Sequence, residues 1–320
     1  MWVMFALTAT ALTSLLPICN KRLLRDTLPA LVAWAINGAS IPLLAGGTLL
    51  LTQCSLRDFP HTALSCTLHL PQIDPVFVAA LLGAAAFNWG ATLLSTHALD
   101  RADASLVTPL LTFNPAFTVL VAWLVLGETP GLREGLGIVV ILLGVYVLEV
   151  QDARTDLLVP LVILGNRPGA VMAILASGLW GTTTVLEKLA IEHVTPPNGP
   201  LVALISTALT VLLLTPNAMF ALSRSRRTAS PGESLGQKKG IGGLRAQLRT
   251  FLVAISIAGI APLFGFTAIA LGFVGYVTAL FKLSAVFTIV WAWLLLGEGH
   301  LRERMFGASV MVLGGALVAT

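Results

Sequence analysis

Charge is what this sequence has least of. Only 11% of its 320 residues are Asp, Glu, Lys or Arg, against about 25% in soluble domains. The hydrophobic fraction is 56% and the mean hydropathy is +0.90. A soluble fold of this length needs polar groups to cover its surface, and too few are present. That excludes an ordinary soluble enzyme, a disordered chain and a nucleic-acid-binding protein, and it implies a multi-spanning membrane protein. Cysteine is scarce as well. Cys19 lies in an apolar run, Cys54 and Cys66 share one polar segment, and no metal-ligand spacing occurs. The pattern GxxxxGK[ST] is missing, which argues against an ATP-driven pump. No cofactor or metal is expected.

The net basicity belongs to one segment. The net charge is +4, yet residues 223–249 hold Arg224, Arg226, Arg227, Lys238, Lys239, Arg245 and Arg249 against Glu233 alone. The remainder of the chain is therefore net acidic. The basic segment has no interleaved aromatics, so it reads as a solvated or headgroup-facing loop, with no nucleic-acid partner.

About 20 apolar residues cross a bilayer as a helix. Apolar runs bounded by charges, Pro or Gly predict ten spans, at 2–19, 28–52, 75–98, 104–126, 134–150, 168–191, 199–222, 250–272, 274–297 and 303–319. Lipid forces the backbone to satisfy itself, and no run alternates like a strand, so an all-α integral membrane fold is expected. The first run lacks a preceding basic residue and a cleavage site, so it reads as a helix and not as a removable signal. The longer polar segments are 53–74, 151–167 and 223–249. An even number of spans puts both termini on one side.

The chain repeats itself. PLLTFNPAFTVLVAWLVLGE (109–128) and ALFKLSAVFTIVWAWLLLGE (279–298) agree at nine of twenty positions at an offset of 170. Phe117/Phe287, Thr118/Thr288, Trp123/Trp293, Gly127/Gly297 and Glu128/Glu298 are among them, and Gly137/Gly307 and Gly144/Gly314 follow in the next helix. At an offset of 167, 11–24 overlies 178–191 and Lys21 matches Lys188. The stripes Thr10, Ser14, Pro17, Lys21 and Ser177, Gly181, Thr184, Lys188 each keep one helix face small or polar. The expected organisation is a first five-helix half (1–150), a connecting loop (151–167) and a second five-helix half (168–320). An odd number of helices per half makes the halves insert in opposite senses. Two inverted five-helix repeats are the architecture of many secondary transporters, with the site between them.

On these residues the chain resembles the drug/metabolite transporter superfamily. Each half ends in AW-L-LGE and a Gly-rich helix closing on LLGV or LGGA, and Leu179-Trp180-Gly181 is similar to the EamA-like branch. The resemblance spans nearly the whole chain and implies a ten-helix permease of the cell membrane for small solutes, with both termini cytoplasmic. Two departures stand out. The first helix has Thr13-Ser14 where the sixth has Trp180-Gly181. The sugar-phosphate and nucleotide-sugar branch carries a lysine fourteen residues before the helix-ending Glu, where this chain has Ser284, with Lys282 two residues earlier.

An ionisable group inside a span is a functional candidate. Lys282 aligns with Thr112, and Thr278 with Thr108, so each half presents a polar i, i+4 pair. Lys282 is expected to bind an anionic group; snorkelling to the interface is the alternative. Asn88, Thr92 and Ser95 form one stripe beside Trp89, fit either to hold substrate or to bond a neighbouring helix. Asn37 carries the same pair of readings. Asn114 sits between Pro109 and Pro115, where freed carbonyls line a cavity or mark a kink. Trp180 and Thr183 are further candidates. Glu187 is the candidate for a coupling proton, or else an interfacial partner of Lys188. Glu128 and Glu298 are expected to cap the helix that follows each.

The reading that fits best is a secondary transporter of small metabolites, amino-acid-like or other small organic solutes including anions, working by alternating access. Its expected partners are that solute, the lipid bilayer and a coupling proton or counter-substrate. The alternatives are a nucleotide-sugar or sugar-phosphate antiporter and a membrane-embedded transferase, for which Asp100-Arg101-Ala102-Asp103 is a lone acidic pair. Lys and Arg gather after odd-numbered helices, which places the termini outside. Cys54 and Cys66 would then be outside too, where disulfides form. The resemblance implies the opposite orientation, and the shared fold tips the expectation to cytoplasmic termini.

Overall fold

Proline marks where several helices begin. Pro29, Pro75 and Pro168 are each the first residue of a helix, where a missing N–H costs nothing and φ is already helical. The computed structural model describes residues 1–24, 27–55, 65–66, 71–101, 104–152, 168–228, 245, 247–296 and 301–319. Its helices are α1 (Trp2–Thr13), α2 (Leu16–Leu23), α3 (Pro29–Gln53), α4 (Pro75–Arg101), α5 (Ala104–Leu111), α6 (Asn114–Leu126), α7 (Leu132–Asp152), α8 (Pro168–Glu192), α9 (Gly199–Thr228), α10 (Leu248–Leu271), α11 (Val274–Phe281), α12 (Ser284–Leu296) and α13 (Leu301–Ala319). Two-residue strands form two antiparallel ladders. β1 (Cys54–Ser55) sets Cys54 opposite Cys66 of β2 (Ser65–Cys66), and β3 (Gln72–Ile73) sets Ile73 opposite Val194 of β4 (Val194–Thr195). The segments 53–74, 151–167 and 223–249 lie largely outside the described residues, as do Asp103, Gly297 and Glu298.

Eight segments among the described residues are long and apolar enough to cross a membrane: Trp2–Leu23, Pro29–Leu51, Pro75–Ala98, Pro109–Leu126, Pro168–Glu192, Gly199–Ser223, Leu248–Leu271 and Val274–Trp291. Phe306–Ala319 within α13 is apolar but shorter. Large apolar side chains such as Leu50, Leu124, Phe220 and Leu313 are exposed along these helices, as expected of a surface solvated by lipid tails.

The apolar runs are not all continuous helices. Ser14–Leu15, Thr112–Phe113 and Lys282–Leu283 interrupt them. At the third break the N–H groups of Lys282 and Leu283 donate to the carbonyls of Ala279 and Leu280 at 3.0 Å each, the tighter i→i−3 pattern. Thr112 and Lys282 occupy equivalent places in the 170-residue repeat, so the two halves share this break.

Close helix contacts cross between the halves. Trp34 donates to Thr215 Oγ1 (3.0 Å) and Thr48 to the carbonyl of Pro200 (3.2 Å), so α3 runs antiparallel to α9. A Cβ on Gly137 would meet the carbonyl of Gly314 at 2.9 Å, and one on Gly144 the carbonyl of Gly307 at 2.9 Å. Helices α7 and α13 therefore cross antiparallel, backbone to backbone, as small residues permit in membranes. Gly83 abuts Leu186 and Gly90 abuts Leu179, laying α4 along α8; Gly272 abuts Trp2 and Gly265 abuts Ala9, laying α1 along α10. Reciprocal bonds tie the first helix of each half to the broken helix of the other. Thr118 Oγ1 reaches the carbonyl of Gly181 at 3.4 Å, and Thr288 Oγ1 that of Ser14 at 3.0 Å.

Candidate functional site

This packing leaves a cavity of about 310 Å³ whose walls come from six helices. From the first half, α3 contributes Asn37, α4 Asn88 and α6 Asn114. From the second, α8 contributes Trp180, Thr183, Thr184 and Glu187, α9 contributes Ser206, Thr207 and Thr210, and α10 closes it with Pro262 and Phe266. Asn88 and Trp180 stand near the midpoints of their helices, and Trp180 Nε1 donates to Asn88 Oδ1 at 3.1 Å. Gly181, next in sequence, has no room for a side chain. A Cβ there would lie 2.8 Å from the carbonyl of Asn114 and from the amide of Thr118. The absent side chain lets α8 sit against the start of α6, and so brings Asn114 to the cavity.

Glu187 is the one ionisable group among the described lining residues. The hydroxyl of Ser206 donates to its Oε1 at 2.6 Å. Lys188 is turned elsewhere: it is 7% exposed and donates to the carbonyls of Ile269 (2.7 Å), Gly272 (3.1 Å) and Ala270 (3.4 Å) at the end of α10. Its carboxylate neighbour is Glu192, at 3.7 Å. The adjacency of Glu187 and Lys188 thus reflects two separate sites.

Six of the residues picked from the sequence meet here: Asn37, Asn88, Asn114, Trp180, Thr183 and Glu187. Four do not. Trp89 is 47% exposed, one position around α4 from Asn88. Thr112 donates to the carbonyl of Pro109 (2.6 Å) and Thr278 to that of Val274 (2.9 Å), both buried in their own helices. Lys282 is the C-cap of α11 at the helix break, where a positive charge suits the helix dipole, and is not among the lining residues. The sequence reading missed Ser206, Thr207 and Thr210. Their signal is a cluster of hydroxyls at i, i+1 and i+4 on an otherwise apolar helix.

Glu128 differs from expectation in its partner. It accepts the Val274 amide at 2.8 Å, so it caps α11 of the other half and not the helix that follows it. Burial pushes its carboxyl above the usual range, and the Val274 bond and the Lys188 charge pull the other way. A larger cavity of about 650 Å³ lies beside the β3–β4 ladder, lined mostly by apolar groups such as Phe5, Leu50, Leu263 and Phe264. Its described lining carries no ionisable group, in contrast to that of the polar cavity.

Long apolar helices packed around a polar chamber define a helical, multi-pass integral membrane protein. Residues 1–150 and 167–320 each match the EamA-like transporter family, and the chain belongs to that family of transporters. It is also similar in fold to a solved crystal structure of a protein, with a TM-score of 0.67 at 16% identity, over 99% of this chain and 96% of that one. No curated protein matches it.

Proposed function

We propose that the chain is a secondary transporter that moves small organic solutes by alternating access. In this reading it has ten spans, α7 and α13 included, arranged as two inverted five-helix halves. The observation that carries the reading is a polar cavity walled by both halves and holding a carboxylate. Inversion is supported by the antiparallel pairing of repeat-equivalent helices, α3 with α9 and α7 with α13. Solute contacts that differ between inward and outward states would shift the population of each. Glu187 is the group we assign to a coupling proton, because a carboxylate in a low-dielectric chamber binds or releases a proton according to what lies beside it. In this reading the termini lie in the cytoplasm, the orientation that the family resemblance favours.

The test is a solute uptake and efflux screen in proteoliposomes, with and without an imposed proton gradient and without nucleotide. Saturable movement is expected for the native protein and not for Thr183→Trp, which fills the chamber. A gradient should drive accumulation in the native protein but not in Glu187→Gln assayed at saturating solute. Equal rates for all three would sink the reading. Membrane-impermeant labelling of a cysteine placed in the 223–249 segment, in intact cells, decides the orientation.

A further inference from the structure

Four hydroxyls of the chamber have already spent their protons. Thr183 spends its hydroxyl proton on the carbonyl of Leu179 (2.9 Å), Thr184 on that of Trp180 (3.2 Å) and Thr210 on that of Ser206 (2.9 Å). Ser206 gives its proton to Glu187, Trp180 gives its N–H to Asn88, and Asn37 Nδ2 donates to the carbonyl of Ala33 at 2.8 Å. A hydroxyl that has donated keeps lone pairs, so these hydroxyls offer a ligand acceptors, while Thr207 and the amide nitrogens of Asn37, Asn88 and Asn114 are the donors of the walls.

Two further observations point the same way. Asn114 Oδ1, at the wall, is buried and has no hydrogen-bond partner, a costly state that a donor from a ligand would relieve. Ser206 engages Oε1 of Glu187, and no Lys, Arg or His is found among the described lining residues. An anionic solute would meet a carboxylate with no cation to offset it. A cationic one would form a charge-assisted bond, and the Trp180 and Phe266 rings add the surface cations favour.

Resting on the transporter reading above, we infer that the chamber selects small solutes bearing an ammonium or several hydrogen-bond donors, held by Glu187 and Asn114, and rejects solutes whose only charge is carboxylate or phosphate. Its volume of about 310 Å³ is the liquid volume of roughly ten waters, which suits a solute of about ten heavy atoms. Lys282, the intramembrane cation that suggested an anionic solute, stands outside these walls.

Three probes on one four-carbon skeleton test this: butane-1,4-diamine, butane-1,4-diol and succinate. Binding to the detergent-purified full chain is read by tryptophan fluorescence and thermal shift, and movement by counterflow in proteoliposomes. The diamine should bind saturably, the diol at least tenfold more weakly, and succinate not at all. Glu187→Gln and Asn114→Leu should each weaken the diamine at least tenfold; two variants guard against one that does not fold. If succinate binds or moves and the diamine does not, the selectivity is wrong while the transporter reading stands. Diamine binding that both variants leave unchanged also overturns the inference. If the diamine binds as expected but no solute of any class crosses, the transporter reading fails and the chamber's selectivity stands.

Discussion

Consecutive residues on a helix point about 100° apart, and at Glu187 and Lys188 that rotation separates a site from a strut. One step takes the chain from a carboxylate in the chamber to an ammonium seated on the carbonyls that end α10. Lys188→Met should leave buried carbonyls unpaired, at about 1–3 kcal/mol for each one stranded, and lower the melting temperature in detergent. An unchanged melting temperature would show that the carbonyls find other partners. Glu128 gives a pH signature. Its carboxyl is raised above the ordinary 4.5 by burial, so over the interval above 4.5 the folded state holds a proton that the unfolded state has lost. Stability therefore falls as pH rises through that interval. Glu128→Gln should flatten that part of the stability curve, and melting curves from pH 4 upward check it. What sequence could not give at this scale was direction. It nominated Asn88 and Trp89 together, but only the first turns inward.

At the scale of elements, eight of the ten expected spans were legible because lipid leaves few choices: an apolar run of the right length must be a helix. The break between α5 and α6 was legible as well, from Pro109 and Pro115. Its counterpart at Lys282–Leu283 has no proline, and nothing local in Phe281-Lys282-Leu283-Ser284 announces it. Only the 170-residue register links the two. The glycines were legible as a repeat but not as a contact, because the offset pairs Gly137 with Gly307 while the structure seats Gly137 on Gly314. That crossing makes a test in two signs. A Cβ on Gly314 would meet the Gly137 carbonyl and the Ile141 amide, each at 2.7 Å, whereas one on Gly135 meets nothing within 4 Å. Gly314→Ala should cost about 1–3 kcal/mol through overpacking. Gly135→Ala should gain up to about 1 kcal/mol through helix propensity. Unfolding of the two variants in one detergent compares them, and equal shifts would mean the helices do not meet as closely as described.

For the molecule as a whole, the halves are separate in sequence yet interleaved in space. Helix α4 lies on α8, α1 on α10, α3 on α9 and α7 on α13, and each pair joins the two halves. A half on its own would therefore expose Gly137 and Gly144, or Gly307 and Gly314, and would leave Trp34 or Thr215 without its partner. In membranes such interfaces form by close packing and interhelical hydrogen bonds, since lipid tails are as apolar as the helices. The chamber also needs both halves, because Asn88 and Asn114 come from one and Glu187 and Ser206 from the other. Residues 1–150 and 151–320, produced as two polypeptides in one membrane, should co-purify through a tag on either and regain solute movement. Produced singly, each should aggregate on extraction and bind no solute. A second half that purifies alone as a monodisperse species, with the protease resistance of the full chain, would show that these cross-half pairs are not what holds the transporter together.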